Sequence, residues 1–370
     1  MGAGAFALYA GGFSQSKAWA KPFFNEDPFS LGVASGDPLP DGVVLWTRLA
    51  PEPLQADGGM PSRKVPVRYE VARDEDFRDV VRKGNTFATP ELAHSVHVEV
   101  EGLDPAREYF YRFKTGPEES PVGRTLTAPA ADADPAELSF AFVSCQNYPT
   151  GFFTAYRHIA EEDLALVVHL GDYIYESDRQ GTIGRGHVPA AEIFSLADYR
   201  RRYGQYKSDE DLRAAHARHP FVVTWDDHEV DNNYTDEIPG DDQDPQAFLQ
   251  RRADAYQAYY EHQPLRLSAK PRGPDMRLYR RLTYGRLAEF NVLDTRQYRS
   301  EAPCGGAKTA SPEDCQERLD PSLTMTGVEQ ESWLLDGLER SGARWNVLAQ
   351  QVFFAQRDLV EGPEQGFNVV

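Results

Sequence analysis

Residues 164–176 read LALVVHLGDYIYE, and this stretch decides the fold. An almost wholly apolar run, Leu164 to Leu170, stops at Gly171-Asp172 and gives way to tyrosines and a carboxylate. A short apolar run closed by a turn reads as a strand buried on both faces, as in a parallel sheet covered by helices. Polar residues straight after such a strand sit at its carboxyl end, where open α/β sheets hold their ligands.

Two other stretches repeat the pattern: LSFAFVSCQN at 138–147 and FVVTWDDHEVDNN at 221–233. Helical periodicity runs through residues 152–163, 199–217, 245–262 and 327–341. Further strands are expected within RLAEFNVLDTR (286–296) and ARWNVLAQQVFF (343–354). Strands alternating with helices predict a layered α/β domain over residues 129–370.

Upstream the period changes. VPVRYEVARD (65–74), SVHVEVEG (95–102) and YFYRFKTG (109–116) alternate apolar with polar residues, between Gly, Pro and Asp turns. This predicts a fibronectin/Ig-like β-sandwich over residues 28–128. GLDPAREYFYRF (102–113) is its late strand, with a tyrosine anchoring the corner. A Pro/Ala/Asp linker, APAADADPAE (128–137), separates the two patterns.

Residues 1–27 are a lead-in. The first thirteen carry no charge, and Ala18-Trp19-Ala20 has the small-x-small form of a signal-peptidase site. The expectation is a partial signal peptide whose start lies upstream, and hence export. Elsewhere no stretch offers the roughly 18 apolar residues of a membrane span, so no transmembrane anchor is expected. The 370 residues carry 39 Lys and Arg against 58 Asp and Glu, a net charge of −19. That balance argues against a nonspecific nucleic-acid or anionic-membrane binder and predicts no nucleic-acid partner. Cys304 and Cys315 bracket a polar loop and are expected to form a disulfide in an oxidising compartment. Cys145 is left over, as a buried inert thiol or as a metal ligand or nucleophile.

The strand-end clusters carry the chemistry. Hard cations take anionic oxygens, and two neighbouring cations need a bridging carboxylate, the role assigned to Asp172. Tyr175 is a candidate phenolate ligand of a trivalent ion. Asp227 is a second-metal ligand, and His228, backed by Glu229, is the acid for a leaving oxygen. Plainer readings fit other residues. His169 is expected to be a satisfied core histidine, and packing is the plainer reading of both Tyr173 and Tyr175, which alternate with Ile174. Glu237–Asp244 reads as a solvated loop, and YRRRY (199–203) as a helix face. Any one strand-end Asp is most often a cap; three clusters in a row favour a site.

GDxxY followed by a D-H-E cluster resembles the metallophosphoesterase signature in its purple-acid-phosphatase form. SCQ, GDYIYE and TWDDHEVDNN, with LDTRQYR at 293–299, resemble the alkaline phosphatase D (PhoD-like) family, and FSLGVASGDPLPDGVVLWTRL (29–49) its N-terminal domain. The likeness covers residues 28 to 360. It implies a four-layer α/β/β/α metallophosphoesterase, exported by the twin-arginine route to a secreted or periplasmic location. It also implies Fe³⁺ with Ca²⁺ and hydrolysis of phosphate esters by a metal-bound hydroxide. Carried over, Cys145 and Tyr175 would hold iron, Asp172 would bridge, and Asp227 with Asn232 or Asn233 would serve calcium. Arg296 would meet phosphate or pair with Asp294. The family's later G-D-x-H motif does not occur before Val370, and Arg357-Asp358-Leu359 does not match it, so an incomplete site is expected. Two alternatives remain open. One is a phosphodiesterase, phospholipase D-like, acting on teichoic acid, lipid or nucleic-acid diesters. The other is a secreted sandwich adhesin whose α/β half has lost activity.

Overall fold

The computed structural model describes residues 24–178, 180–306, 311, 313–355, 358–363 and 366. Residues 1–23 of the expected signal and lead-in segment (1–27), and Arg357, lie outside them.

Eight strands precede residue 128: β1 (Val33–Leu39), β2 (Gly42–Arg48), β3 (Val65–Ala72), β4 (Val80–Ala88), β5 (Ser95–Glu101), β6 (Glu108–Thr115), β7 (Glu118–Glu119) and β8 (Gly123–Leu126). Strands β3, β4, β6, β7 and β8 form one sheet, while β1, β2 and β5 lie in another. Between them Val43, Leu45, Val96 and Val98 pack with Val65, Val67, Tyr111 and Phe113. These are the alternate, inward residues of each strand, as a sandwich requires. The expected corner is present: the Tyr109 hydroxyl accepts the Asp104 N–H at 2.8 Å.

Beyond the linker come β9 (Phe140–Val143), α1 (Thr154–Glu161), β10 (Leu166–His169), α2 (Leu196–Lys207), α3 (Glu210–Arg218), β11 (Pro220–Val223) and α4 (Pro245–His262). A second group follows: β12 (Arg280–Tyr284), β13 (Ala288–Val292), α5 (Gly327–Arg340) and β14 (Trp345–Ala349). The helical pattern of 199–217 is two helices, because the Asp209 carboxylate accepts the N–H groups of Asp211 and Leu212 and starts α3 anew.

The sheet does not stop at the linker. Its strand order is β5-β2-β1-β11-β10-β9, with β1 running parallel to β11 through the pairs Ser35–Pro220 and Gly36–Phe221. Gly36 makes this join possible: a Cβ there would lie 2.4 Å from the Pro264 carbonyl oxygen and 2.7 Å from that of Phe221. The indole of Trp46 adds a bond across the join, to the Glu261 carbonyl at 3.0 Å.

One face of β9, β10 and β11 is covered by helices around Val167, Phe221, Val223, Tyr203 and Tyr259. The other face sets Leu166, Val168 and Val222 against Leu282, Phe290 and Val292 of the β12-β13-β14 sheet. On the far side of that sheet Arg281 donates to the Trp333 carbonyl of α5 at 3.2 Å. The edge strands β9 and β14 leave Phe142 and Trp345 70% and 68% exposed. Among the described residues no helix is long and apolar enough to cross a membrane. A disulfide joins Cys304 and Cys315, with Cα atoms 5.8 Å apart.

YRRRY lies on helix α2, as expected, and much of it faces inward. Tyr199, Arg202 and Tyr203 are wholly buried. The Arg202 guanidinium donates to the carbonyls of Tyr175, Pro189 and Ala191, tying the loop after β10 to α2.

Candidate metal centre

Strands β9, β10 and β11 are parallel neighbours, so their carboxyl ends open on one edge. Backbone bonds stitch the first two ends together: Cys145 N–H donates to the Gly171 carbonyl and Gln146 N–H to that of Asp172, both at 3.1 Å. Gly171 adopts φ 106, and a Cβ on it would lie 2.3 Å from the Asp226 nitrogen. Only glycine lets the β10 and β11 loops approach so closely. Cys145, Asp172 and Asn233 have φ of 58, 53 and 61. Non-glycine residues hold this left-handed region at a cost, and such residues concentrate at functional sites.

The loops are locked by a buried carboxylate. Glu229 accepts N–H bonds from Asp172 at 3.1 Å, Tyr173 at 2.5 Å and Asp226 at 2.8 Å. It therefore does not back His228, as the adjacency of the two residues suggested. His228 Nδ1 lies 2.7 Å from Glu176 Oε2 instead. Consecutive side chains leave the chain in different directions, so the neighbour in sequence is not the neighbour in space.

Asp172, Asp227 and His228 bring one ligand atom each to within 4.8 Å of one another. Tyr175 donates its hydroxyl to Asp172 Oδ2 at 2.9 Å, and its ring centroid lies 4.2 Å from that of His228. Cys145 is exposed at the rim, not the buried thiol of the plainer reading. The backbone N–H groups of Asn232 and Asn233 are committed to Glu176 and Asp227 at 2.8 and 2.7 Å, while the residues themselves are exposed.

The electrostatics call for a cation. Asp172 Oδ1 is buried and has no partner. Burial, then the charge of Asp227, pushes the Asp172 carboxyl up to about 7. Burial also raises Tyr175, and the Asp172 carboxylate adds to the effect. Partial desolvation and the same carboxylate raise the Cys145 thiol to about 11. Burial opposes charge on His228, but the Glu176 hydrogen bond and the charges of Glu176, Asp227 and Asp172 outweigh it and lift the imidazole to about 10. An orphaned buried carboxylate oxygen beside a second carboxylate and an imidazole fits a metal cation.

Arg296 lies at the same edge but pairs otherwise than expected. Its Nε is 2.6 Å from Asp226 Oδ1 and its Nη2 is 3.7 Å from Asp227 Oδ1. Asp294 takes only its backbone N–H, at 3.0 Å. A second acidic group, Glu192, Asp231 and Asp241, already has its cation: Arg251 reaches Asp231 at 3.0 Å and Glu192 at 2.8 Å. His169 is a core residue whose Nδ1 accepts the Gly171 N–H at 3.2 Å; its Nε2 has no partner. Burial, then Lys207, lowers it to about 3, so it stays neutral.

The sequence profile of the PhoD-like phosphatase family matches residues 140–369, and that of the family's N-terminal domain matches residues 14–129. The chain is 58% identical over 342 residues to alkaline phosphatase D of Bacillus subtilis, a match that covers 91% of this chain. A solved structure of PhoD superposes with a TM-score of 0.88 at 55% identity and covers 94% of the chain. The chain spans 58% of the length of the first relative and 66% of the second. It belongs to the PhoD-like phosphatase family.

Proposed function

We propose that the protein is an exported, metal-dependent phosphoesterase that hydrolyses phosphate monoesters, diesters or both. The observation that carries this reading is the Asp172–Asp227–His228 group, with the buried, partnerless Asp172 Oδ1 at its centre. In the proposed assignment Cys145 and Tyr175 hold Fe³⁺, Asp172 bridges, and Asp227 holds Ca²⁺ with Asn232 or Asn233. Once bound, the cations would neutralise phosphoryl oxygens and bring a water's pKa toward neutrality.

The chain's own residues do the rest. Glu176 anchors Nδ1 of His228 and leaves Nε2 as the free ring nitrogen. Nε2 is then the ring nitrogen placed to pass a proton to a departing alkoxide oxygen. Glu229 holds the Asp172 and Asp226 backbones in place, which keeps the two strand ends in register. In this reading the two packed sheets and their helices belong to a four-layer α/β/β/α metallophosphoesterase, and the protein is exported by the twin-arginine route, as its family likeness implies.

The test is metal analysis with paired rates on p-nitrophenyl phosphate and bis-p-nitrophenyl phosphate, the ratio of which separates monoester from diester preference. Bound iron and calcium with turnover of either substrate is expected. A metal-free, inert protein at the length of its relatives would overturn the reading and favour the adhesin alternative.

A further inference from the structure

The loop after β13 carries two arginines three residues apart, and their surroundings differ. Arg296 is spent on the protein: its guanidinium is paired with Asp226 at 2.6 Å and faces Asp227 at 3.7 Å. Arg299 is just as buried, only 4% exposed, and no hydrogen bond or ion pair reaches its side chain from any described residue; its Nη1 is fully enclosed without a partner. The two guanidiniums belong to one loop, and Arg296, three residues before Arg299, ties that loop to the Asp226–Asp227 strand end. The Asp226 and Asp227 carboxylates act on Arg299 only through space, and a buried guanidinium N–H left without an acceptor is costly. A bound ligand can supply the missing acceptor, and the planar guanidinium fork matches the paired oxygens of a phosphate.

We infer that Arg299 is a phosphate-binding residue of this site, donating to a non-bridging oxygen of a phosphoryl group that sits against the Asp172–Asp227 edge. The inference rests on the proposed function and extends it. Arg296, the arginine singled out from sequence, is the strut that holds Asp226 and Asp227, and Arg299 is the one left free for substrate.

The experiment is calorimetric titration of inorganic phosphate into the iron- and calcium-supplied protein. It is read beside KM and kcat for p-nitrophenyl phosphate, metal content and melting temperature. Arg299→Ala is expected to weaken phosphate binding and raise KM at least tenfold, with parental metal content and no fall in melting temperature. Arg299→Lys should recover part of the loss. Arg296→Ala should instead lower metal content and melting temperature together. Phosphate binding by Arg299→Ala within twofold of the parent would overturn the inference. If Arg299→Ala does not fold, Arg299→Lys decides: weakened phosphate binding at parental metal content supports the assignment, and parental binding overturns it. A parent that binds phosphate through Arg299 but turns over no ester would sink the hydrolytic reading and leave the assignment standing. A parent that binds no phosphate would overturn both.

Discussion

Glu176, buried, and His228, half-buried, form a close pair: Oε2 of the carboxylate is 2.7 Å from Nδ1 of the ring, and Oε1 takes the Asn232 N–H at 2.8 Å. Both oxygens are held, so the carboxylate fixes the imidazole in one orientation. The folded imidazole titrates near 10, above its ordinary 6.5, so folding favours the protonated form. The stability this pair contributes is present in full below about pH 6.5 and is lost as pH rises toward 10. Glu176→Gln should lower the His228 titration by at least about one pH unit, worth ~1.4 kcal/mol. Nuclear magnetic resonance of the metal-free protein reads it directly. An unshifted His228 titration in that variant would show that the carboxylate does not hold the proton.

Asp172 should separate stability from binding. Its carboxyl titrates near 7 rather than 3.8, so the folded state binds its proton more tightly than the unfolded chain does. The stability linked to that proton is present below about pH 3.8 and is gone once pH passes 7. At pH 8 without metal, Asp172→Asn should therefore stabilise the fold by on the order of 2 kcal/mol. Asparagine also tolerates the φ of 53 found here, so the backbone need not move. The same variant should bind metal at least tenfold more weakly, and His169→Ala should leave metal content alone while lowering stability. Urea unfolding and metal analysis of both variants test this; parental metal affinity in Asp172→Asn would remove the bridging role.

Tyr173 and Tyr175 are two residues apart with opposite surroundings. The Tyr175 hydroxyl reaches Asp172 at 2.9 Å, whereas that of Tyr173 meets His216 at 2.8 Å and Lys207 at 3.3 Å in the core behind the loop. With iron bound, a phenolate-to-metal absorption is expected. Tyr175→Phe should abolish it with the fold intact, and Tyr173→Phe should keep it. A visible band in Tyr175→Phe would place the phenolate elsewhere.

The strand-end clusters were legible because each follows an apolar run that stops at a turn, a local signal. Glu176 was quoted among them without a role, since its partner His228 lies 52 residues on and nothing local links the two. Glu229 drew the wrong partner by adjacency, and Asp294 did so for Arg296. Arg299 gave no signal, because a missing partner is visible only when every neighbour is placed. The linker at 128–137 marks a true change of period, yet β1 and β11 pair across it; parallel pairing between distant segments leaves no trace in local pattern.

That pairing makes a last prediction. If the β-sandwich and the α/β half were joined only by the linker, each would unfold on its own and a lesion in one would spare the other. The shared sheet instead runs Gly36 against Phe221, with Pro264 packed on top. Gly36→Val puts a branched side chain where a Cβ alone would lie 2.4 Å from the Pro264 carbonyl oxygen and 2.7 Å from the Phe221 carbonyl oxygen. Both are backbone atoms, so neither can rotate away, and strand β1 must shift off β11. Overpacking of this kind costs about 1–3 kcal/mol. Trp46 lies in the sandwich and bonds Glu261 across the join, while Trp225 lies beyond β11 in the α/β half. The parent should unfold in urea in one transition, with fluorescence and far-ultraviolet circular dichroism coincident. In Gly36→Val that single midpoint should move to lower urea for both probes. A variant in which the α/β signals keep their parental midpoint while the sandwich unfolds early would show that the sheet, though continuous, does not couple the two halves.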